Sequence, residues 1–535
     1  MKKYTKYTLI YLIIFLLGIF TERFDIDNGI SNYFKKFLDT GSRFIYSFTS
    51  KEKIYIDIEP KQYDKILKVR EKSLKAGVLT DDLHEWVPAK LTIKKITYDI
   101  RVRLKGVFSD HWNSPTRWSF KVKVNNNSKP IFGSKRFNLQ PPHTMSYLYE
   151  WLLMKALEKE KLISLDAKYL EVIVNGSSRG AYIFQAGISE EILKINEKPK
   201  GPIVGFNKNL YLIEQANEKK LTKLGLTSSM NGVEDTFWRA KIEPVQFSKF
   251  QIEKKQGVYL KKAIYLLESF RNGSLKPSEV FNIDELSKIM AIRAILGSSE
   301  FDYRDTKFYF NPEISRLEPI TKESHVRLDL NFEDHYFSWW IDSSHIRPHY
   351  TNNTNFFLDI LYNDYDFYKI YLAELNRFSK DKYFEKLIND NKIEYSKNLK
   401  ILKQNYPTKE VFSKKHLEIT RLRIQDFLNP VQGLNVYFSN YEENILSLNI
   451  SNLQRLPIEI MGLKFEDKSK IFLKKPIFIN GKKPLLPTTN NIIKFDCLFK
   501  EECKKILIDK QKIIYKILGQ NNDKKANISR DYFEN

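Results

Sequence analysis

The stretch Lys168–Gly187, KYLEVIVNGSSRGAYIFQAG, decides the reading of the fold. Two apolar-rich runs flank Asn175-Gly176, the dipeptide that supplies the two positive-φ positions of a tight hairpin. Gly180 is a second breaker inside the returning run. A hairpin here makes sense only in a larger sheet, because an isolated pair of strands is marginal in water.

Reading outward toward the N-terminus supplies that sheet. KIYIDIEP alternates apolar and polar residues, as a half-buried strand does. AKLTIKKITYDIRVRLKG reads as a strand pair, RWSFKVKVNNN as a strand ending in a turn at Asn125–Asn127, and KRFNLQPP as a strand stopped by Pro141 and Pro142. One helix interrupts the series: TMSYLYEWLLMKALEKEK places Leu148, Leu152, Leu153, Ala156 and Leu157 at helical spacing. Reading toward the C-terminus, GVYLKKAIYLLESFRNG and NIDELSKIMAIRAILGSS are amphipathic helices, the second with Asn282 or Asp284 as its cap. A loop and two strands follow in EFDYRDTKFYFNPEISRLEPITKESH (Glu300–His325), then helices from about Thr354 to Leu428. Asn429-Pro430 ends them. Short alternating strands then dominate to the C-terminus, which reads most simply as a small β-sandwich.

Hydrophobic residues make up 42% of the 535, which supports large packed cores and excludes a wholly disordered chain. Lys and Arg number 88 against 65 Asp and Glu, a formal charge of +23. That balance fits anionic partners, or simply a lysine-rich composition spread over every surface. No arginine-rich arm, zinc-finger spacing or RNA-binding aromatic signature is present, so no nucleic-acid role is expected. At the N-terminus Lys2, Lys3 and Lys6 precede an apolar run from Tyr7 to Phe20, with no small-x-small cleavage pattern after it. This reads as an uncleaved signal-anchor in preference to a cleaved signal peptide. The N-terminus is then cytoplasmic and the bulk of the chain outside. Cys497 and Cys503 are the only cysteines; in an exported protein they are either a disulfide or two free thiols.

The order of elements, strand-rich lobe, acidic helix, hairpin, helical lobe, then an Asp-bearing loop, is that of a protein-kinase-like fold. Specific segments resemble the spore-coat CotH kinase family across about Lys51 to Leu428. RVRLKGVFSDHW is similar to its R-x-K-G-N-S-S segment, TRWSFKVKV to its K-S-F-K-L-K-F strand, and IFGSKRFNLQPP to its G-x-K-x-x-N-L stretch. YLYEWLLMKAL resembles its REKLAYDLF helix, and LEVIVNGSSRGAYIFQAGISEEIL its VNG…G-x-Y hairpin. The resemblance implies a kinase-like two-lobed domain, with a strand-rich N-lobe and helical C-lobe, over 51–429; with the small all-β domain that the alternating strands give over 430–535, the chain is expected to be α+β. Residues 1–25 are the anchor and 26–50 a spacer.

Carried over, the resemblance makes Lys121 the phosphate-binding lysine and Glu150 its ion-pair partner on the helix. Arg103 and Lys105 would line the nucleotide-facing turn. A solvated strand face is the plainer reading of Lys121, Arg103 and Lys105, and an exposed helix position that of Glu150. Asp302 takes the catalytic-base position and Glu323 the remaining metal-ligand position, with Asp305 as a fallback carboxylate. Departures from the family pattern are concentrated here. The Asn position falls on Thr306 or Lys307, and Thr321 stands where a metal-binding Asp belongs. Mg²⁺ or Mn²⁺ prefers carboxylate oxygens, and Thr is a weak substitute. The expected function is therefore ATP-dependent phosphotransfer to an exported protein or anionic envelope component through a degenerate metal site. The alternative is a non-catalytic kinase-like module that binds or assembles at the cell envelope. Two further features are His325, His335, His345 and His349 with Asp329, Asp334 and Asp342 between them, read as a loop or a metal or glycan site, and Trp339-Trp340, read as a core pair or a sugar-stacking patch.

Overall fold

The computed structural model describes residues 52–226, 235–245, 254–298, 301–326, 356–380, 382–429, 433–466, 468–483, 486–497 and 511–529. The proposed anchor and spacer lie outside them, as do His335, His345, His349, Asp329, Asp334, Asp342, Trp339, Trp340 and Cys503. Cys497 is disulfide-bonded.

The chain is mixed α+β: a barrel, a helical region, then strands. Seven strands close the barrel: β1 Lys53–Asp57, β2 Val87–Ile93, β3 Ile96–Leu104, β4 Phe120–Val124, β5 Arg136–Gln140, β6 Ala167–Val174 and β7 Ser177–Ala186. Their order is β1-β2-β3-β4-β5-β7-β6, and β6 returns to β1 in parallel. The β6–β7 hairpin turns at Asn175 and Gly176, both at positive φ, as Asn-Gly requires. Strand alternation sends Val102, Leu104, Phe120, Val122, Leu139 and Phe184 into the barrel. It sends Arg103, Lys121, Asn138 and Gln185 outward, side by side in one row across β3, β4, β5 and β7. Helix α1 (Pro60–Ala76) lies against β2 and β3; Pro60 starts it and Gly77, at φ +77°, ends it. Its pattern is not legible in the sequence: only Ile66 and Ser73 are buried, so the apolar stripe is thin.

The helical region begins with α2 (Leu148–Lys159), whose buried face is nearly continuous from Leu148 to Met154. After it come α3 (Asn209–Lys223), α4 (Lys254–Arg271), α5 (Ile283–Leu296), α6 (Phe356–Tyr362), α7 (Tyr365–Lys380), α8 (Tyr383–Asp390), α9 (Lys392–Asn405) and α10 (Lys414–Leu428). Asn282 caps α5 by accepting from the Glu285 amide, and Gly297 closes it at φ +73°. This helix is the hub: it packs on α2, α7 and α10 and is buried on all sides from Ile289 to Leu296. A four-stranded sheet, order β11-β10-β8-β9, sits beside it, with β8 Ile203–Phe206, β9 Ile242–Pro244, β10 Lys307–Asn311 and β11 Arg316–Ile320. The β10–β11 hairpin matches the sequence reading; its extension by two short distant strands does not follow from local pattern.

From Leu434 the described chain is strand only. One sheet has the order β12-β13-β16 (Leu434–Glu442, Ile445–Asn452, Asn490–Asp496). The other has β15-β14-β17-β18 (Lys470–Ile479, Ile458–Lys464, Lys512–Ile517, Lys524–Asn527). Leu448, Ile450, Ile460, Phe495 and Ile513 of both sheets share one core. Lys369 of α7 reaches Glu459 of β14 at 3.0 Å, which ties this region to the helices.

Candidate functional site

The barrel's outward polar row faces a loop that follows β11, residues 321–326. Side chains from elsewhere hold the backbone of Lys322, Glu323, Ser324 and Val326 in this loop. Arg293 lies in the apolar run of α5 and has nowhere to go but inward; it is 2% exposed. Its guanidinium donates to Thr321 Oγ1 at 2.9 Å, Lys322 O at 3.3 Å, Glu323 O at 3.1 Å and Ser298 Oγ at 2.8 Å. Ser324 Oγ donates to Met145 O, and Ser146 Oγ accepts from the Val326 amide at 2.7 Å. Glu323 and His325 both sit at positive φ, +56° and +42°. For residues with a Cβ such backbone persists only where the surroundings over-determine it.

Glu150 of α2 is the third support. It is fully buried. Its carboxylate accepts from Gln185 Nε2 at 2.7 Å, the Ser324 amide at 2.6 Å and the Glu323 amide at 3.3 Å. Burial pushes it up to about 7 against the opposing pull of the Ser324 N–H, with Glu323 adding to the rise. The expected Lys121–Glu150 ion pair is therefore corrected. Glu150 turns to the loop amides, and its partner in the strand row is Gln185 at the far end from Lys121. An exposed helix position is equally excluded for Glu150.

Glu323 is the carboxylate around which the junction is organised. Its Oε1 takes Lys105 Nζ at 2.7 Å and Lys322 Nζ at 3.1 Å, and His325 Nε2 lies 3.3 Å from Oε2. Burial would raise its pKa, but Lys105, Lys322 and His325 together hold it well below the usual carboxylate range. Lys105 also donates to Gln140 Oε1 at 2.6 Å; burial brings this lysine down to about 8 although Glu323 opposes the fall. Where a metal ion is expected against Glu323, two lysine ammonium groups share one of its oxygens. Asp302 accepts from the Arg304 amide at 2.8 Å and Arg304 Nε at 2.6 Å, and from its Nη2 as well. A base needs a free lone pair aimed at its proton donor, and Arg304 fills Asp302 Oδ2 and shares Oδ1, which leaves little of this carboxylate for that task. The fallback Asp305 lies 3.7 Å from both Lys208 and Lys322; these lysines overcome burial and keep it low. Lys307 donates to Phe206 O and Arg304 O, and so is used structurally.

Lys121 differs from all of these. Among the described residues no carboxylate and no hydrogen-bond acceptor meets its Nζ, although the residue is half-buried. Burial lowers it to about 7, and the charges of Arg103, Lys105, Lys322 and Arg136 push the same way. Arg103 stands directly across from it on β3, with its guanidinium 5.2 Å above the Trp86 ring. A solvated strand face, the plainer reading of this row, does not describe it.

The structure thus brings Arg103, Lys105, Lys121, Glu150 and Glu323 to one junction and leaves Asp302 locked beside it. Sequence reading missed Lys322, Gln140, Gln185 and Arg293. Two signals were available: Asn138 and Gln140 put two neutral amides in succession on the outer face of a strand, and Arg293 interrupts the apolar run IMAIRAIL. Among the described residues no three His, Cys, Asp or Glu side chains gather as a metal site, and no helix is long and apolar enough to cross a membrane. No protein-family model and no curated protein matches this chain.

Proposed function

We propose that residues 51–429 form a kinase-like two-lobed module resembling the spore-coat CotH kinases, and that it binds a phosphorylated ligand at the junction of barrel and helices. Residues 430–535 form an appended β-sandwich-like domain. The N-terminal segment 1–25 anchors the chain in the membrane, with the bulk outside the cytoplasm and an exported protein or anionic envelope component as partner. The observation that carries the reading is Lys121: a half-buried amine that meets no carboxylate among the described residues, beside Arg103, Lys105, Lys322 and Arg136. Like charges crowded in a poorly solvated place are costly unless an anion joins them. Phosphate is the anion such a group of ammonium and guanidinium donors suits. ATP is the reference ligand because Lys121 holds the family's phosphate-binding position.

The same geometry favours the non-catalytic alternative over phosphotransfer. Turnover would need Asp302 released from Arg304 and Glu323 released from two lysines. The test is ATP binding to the full chain by calorimetry, for wild type and Lys121→Met. The reading expects binding that weakens about tenfold or more in the variant, the worth of one charged hydrogen bond. Equal binding by both proteins, or none by wild type, would refute it.

A further inference from the structure

We infer that this site takes its phosphate ligand without a divalent cation, the ammonium groups of Lys105 and Lys322 standing where a metal would otherwise bridge a loop carboxylate to the phosphates. The inference rests on the anion-binding reading above and adds the ionic form of the ligand.

Mg²⁺ and Mn²⁺ are hard ions that are held through one or two carboxylates together with the substrate's phosphates. Most oxygen donors at this junction are already engaged by cations or amides; Asp110, which lies in the field of Glu323, Lys105 and His325, is the exception. Glu323 Oε1 receives Lys105 and Lys322, and His325 lies against Oε2. Thr321 Oγ1 accepts from buried Arg293 and is turned into the protein. Asp302 is held by Arg304, and Asp305 by Lys208 and Lys322. Glu150 is spent on the Ser324 and Glu323 amides. A dication approaching Glu323 would have to displace two lysines and sit among Lys121, Arg103 and Lys208, against Coulomb repulsion in a partly desolvated place.

The same arrangement suits a metal-free polyphosphate. An ammonium group is a compact point charge that binds phosphate oxygens without geometric demands. Lys322 is shared between Glu323 and Asp305, so it can turn toward an incoming anion while its carboxylates keep other cations, Lys105 and Lys208. Metal bound to the phosphates cancels charge that these lysines would otherwise meet. Mg²⁺ therefore acts on this site as a competitor for the ligand.

The experiment is ATP titration into the full chain, once with EDTA and once with excess MgCl₂. The inference expects binding in EDTA that is severalfold to about tenfold tighter than with Mg²⁺. It expects Lys322→Ala to weaken the EDTA value about tenfold. It expects Glu323→Gln to tighten it, because a competing carboxylate is removed. Binding seen only with Mg²⁺ or Mn²⁺ overturns the inference and leaves the anion-binding reading standing. Absence of binding in both buffers overturns the two together. The wild-type comparison needs no variant to fold. Tryptophan fluorescence checks the variants, since all seven tryptophans precede residue 430.

Discussion

Glu150→Gln should change the pH dependence of stability, and the size of the change can be worked from its surroundings. In the fold the Glu150 carboxyl titrates near 7, against 4.5 for an ordinary glutamate, because burial outweighs the Ser324 N–H that favours the anion. A raised carboxyl pKa means that the folded state holds a proton the unfolded chain has released. The stability that goes with it is complete below the unfolded value and is lost as pH rises through about 7. With each pH unit between the unfolded and folded values worth about 1.4 kcal/mol, the loss is on the order of 3 kcal/mol. Glutamine cannot lose that proton, so its stability lacks this slope. It does lose one acceptor: its amide nitrogen accepts nothing, so either the Ser324 N–H, now on Oε2, or the Gln185 Nε2 and Glu323 N–H, now on Oε1, is left unmatched. An unsatisfied buried N–H costs about 1–3 kcal/mol. Near pH 5 the variant should therefore be less stable than wild type by about 1–3 kcal/mol, and near pH 8.5 the gap should close or reverse. Urea unfolding followed by tryptophan fluorescence reads this body of the protein, since Trp112 and Trp151 are buried in it and the C-terminal region has no tryptophan. Because every other titrating group is common to both proteins, the difference between them isolates Glu150. A gap that stays constant from pH 5 to pH 8.5 would refute the reasoning.

Three other outcomes are expected. Arg117 is 3% exposed, and its Nε, Nη1 and Nη2 have no hydrogen-bond partner among the described residues, while the guanidinium lies 4.9 Å from the Tyr406 ring centre. Arg117→Met should be neutral or stabilising by up to about 3 kcal/mol, as for other buried ions replaced by apolar side chains; a loss of stability in the same urea assay would count against this. ATP affinity should fall as pH rises above about 7, by up to tenfold per pH unit, because Lys121 is neutral there in the empty site and must regain its proton to meet phosphate; calorimetry in buffers of different ionisation heat should register proton uptake, and a flat profile would exclude Lys121 as the contact. A reporter active only outside the cytoplasm, fused after Asn535, should give signal if Lys2, Lys3 and Lys6 stay inside; signal only from a cytoplasmic reporter would reverse the topology.

Local chemistry made much of the architecture legible. The Asn175-Gly176 turn, the Asn282 cap and the apolar spacing of α2 each act within a few residues, and each element stands where its pattern placed it. The barrel's closure was not legible, because the parallel β1–β6 pairing joins residues about 120 apart and leaves no mark on either strand. Nor was α1, whose exposed faces outnumber its two buried positions. At the site, the residues that share a strand face, Arg103, Lys105 and Lys121, could be grouped by alternation alone. Their partners could not. Whether Glu150 turns to Lys121 or to the Ser324 amide depends on where a loop 173 to 174 residues away comes to rest. That loop is fixed by Arg293, a residue that no motif marks.

The central claim, that Lys121 and its cationic neighbours receive phosphate, is tested most directly by an ATP acyl-phosphate, which transfers its acyl group to whichever lysine amine lies against the phosphates. The full chain would be labelled near neutral pH, digested, and its modified lysines mapped with and without competing ATP. Labelling at Lys121, with Lys105 or Lys322 beside it, that disappears under excess ATP is the predicted result. Labelling spread over surface lysines without protection, or protected labelling only at lysines far from the barrel row, would contradict it.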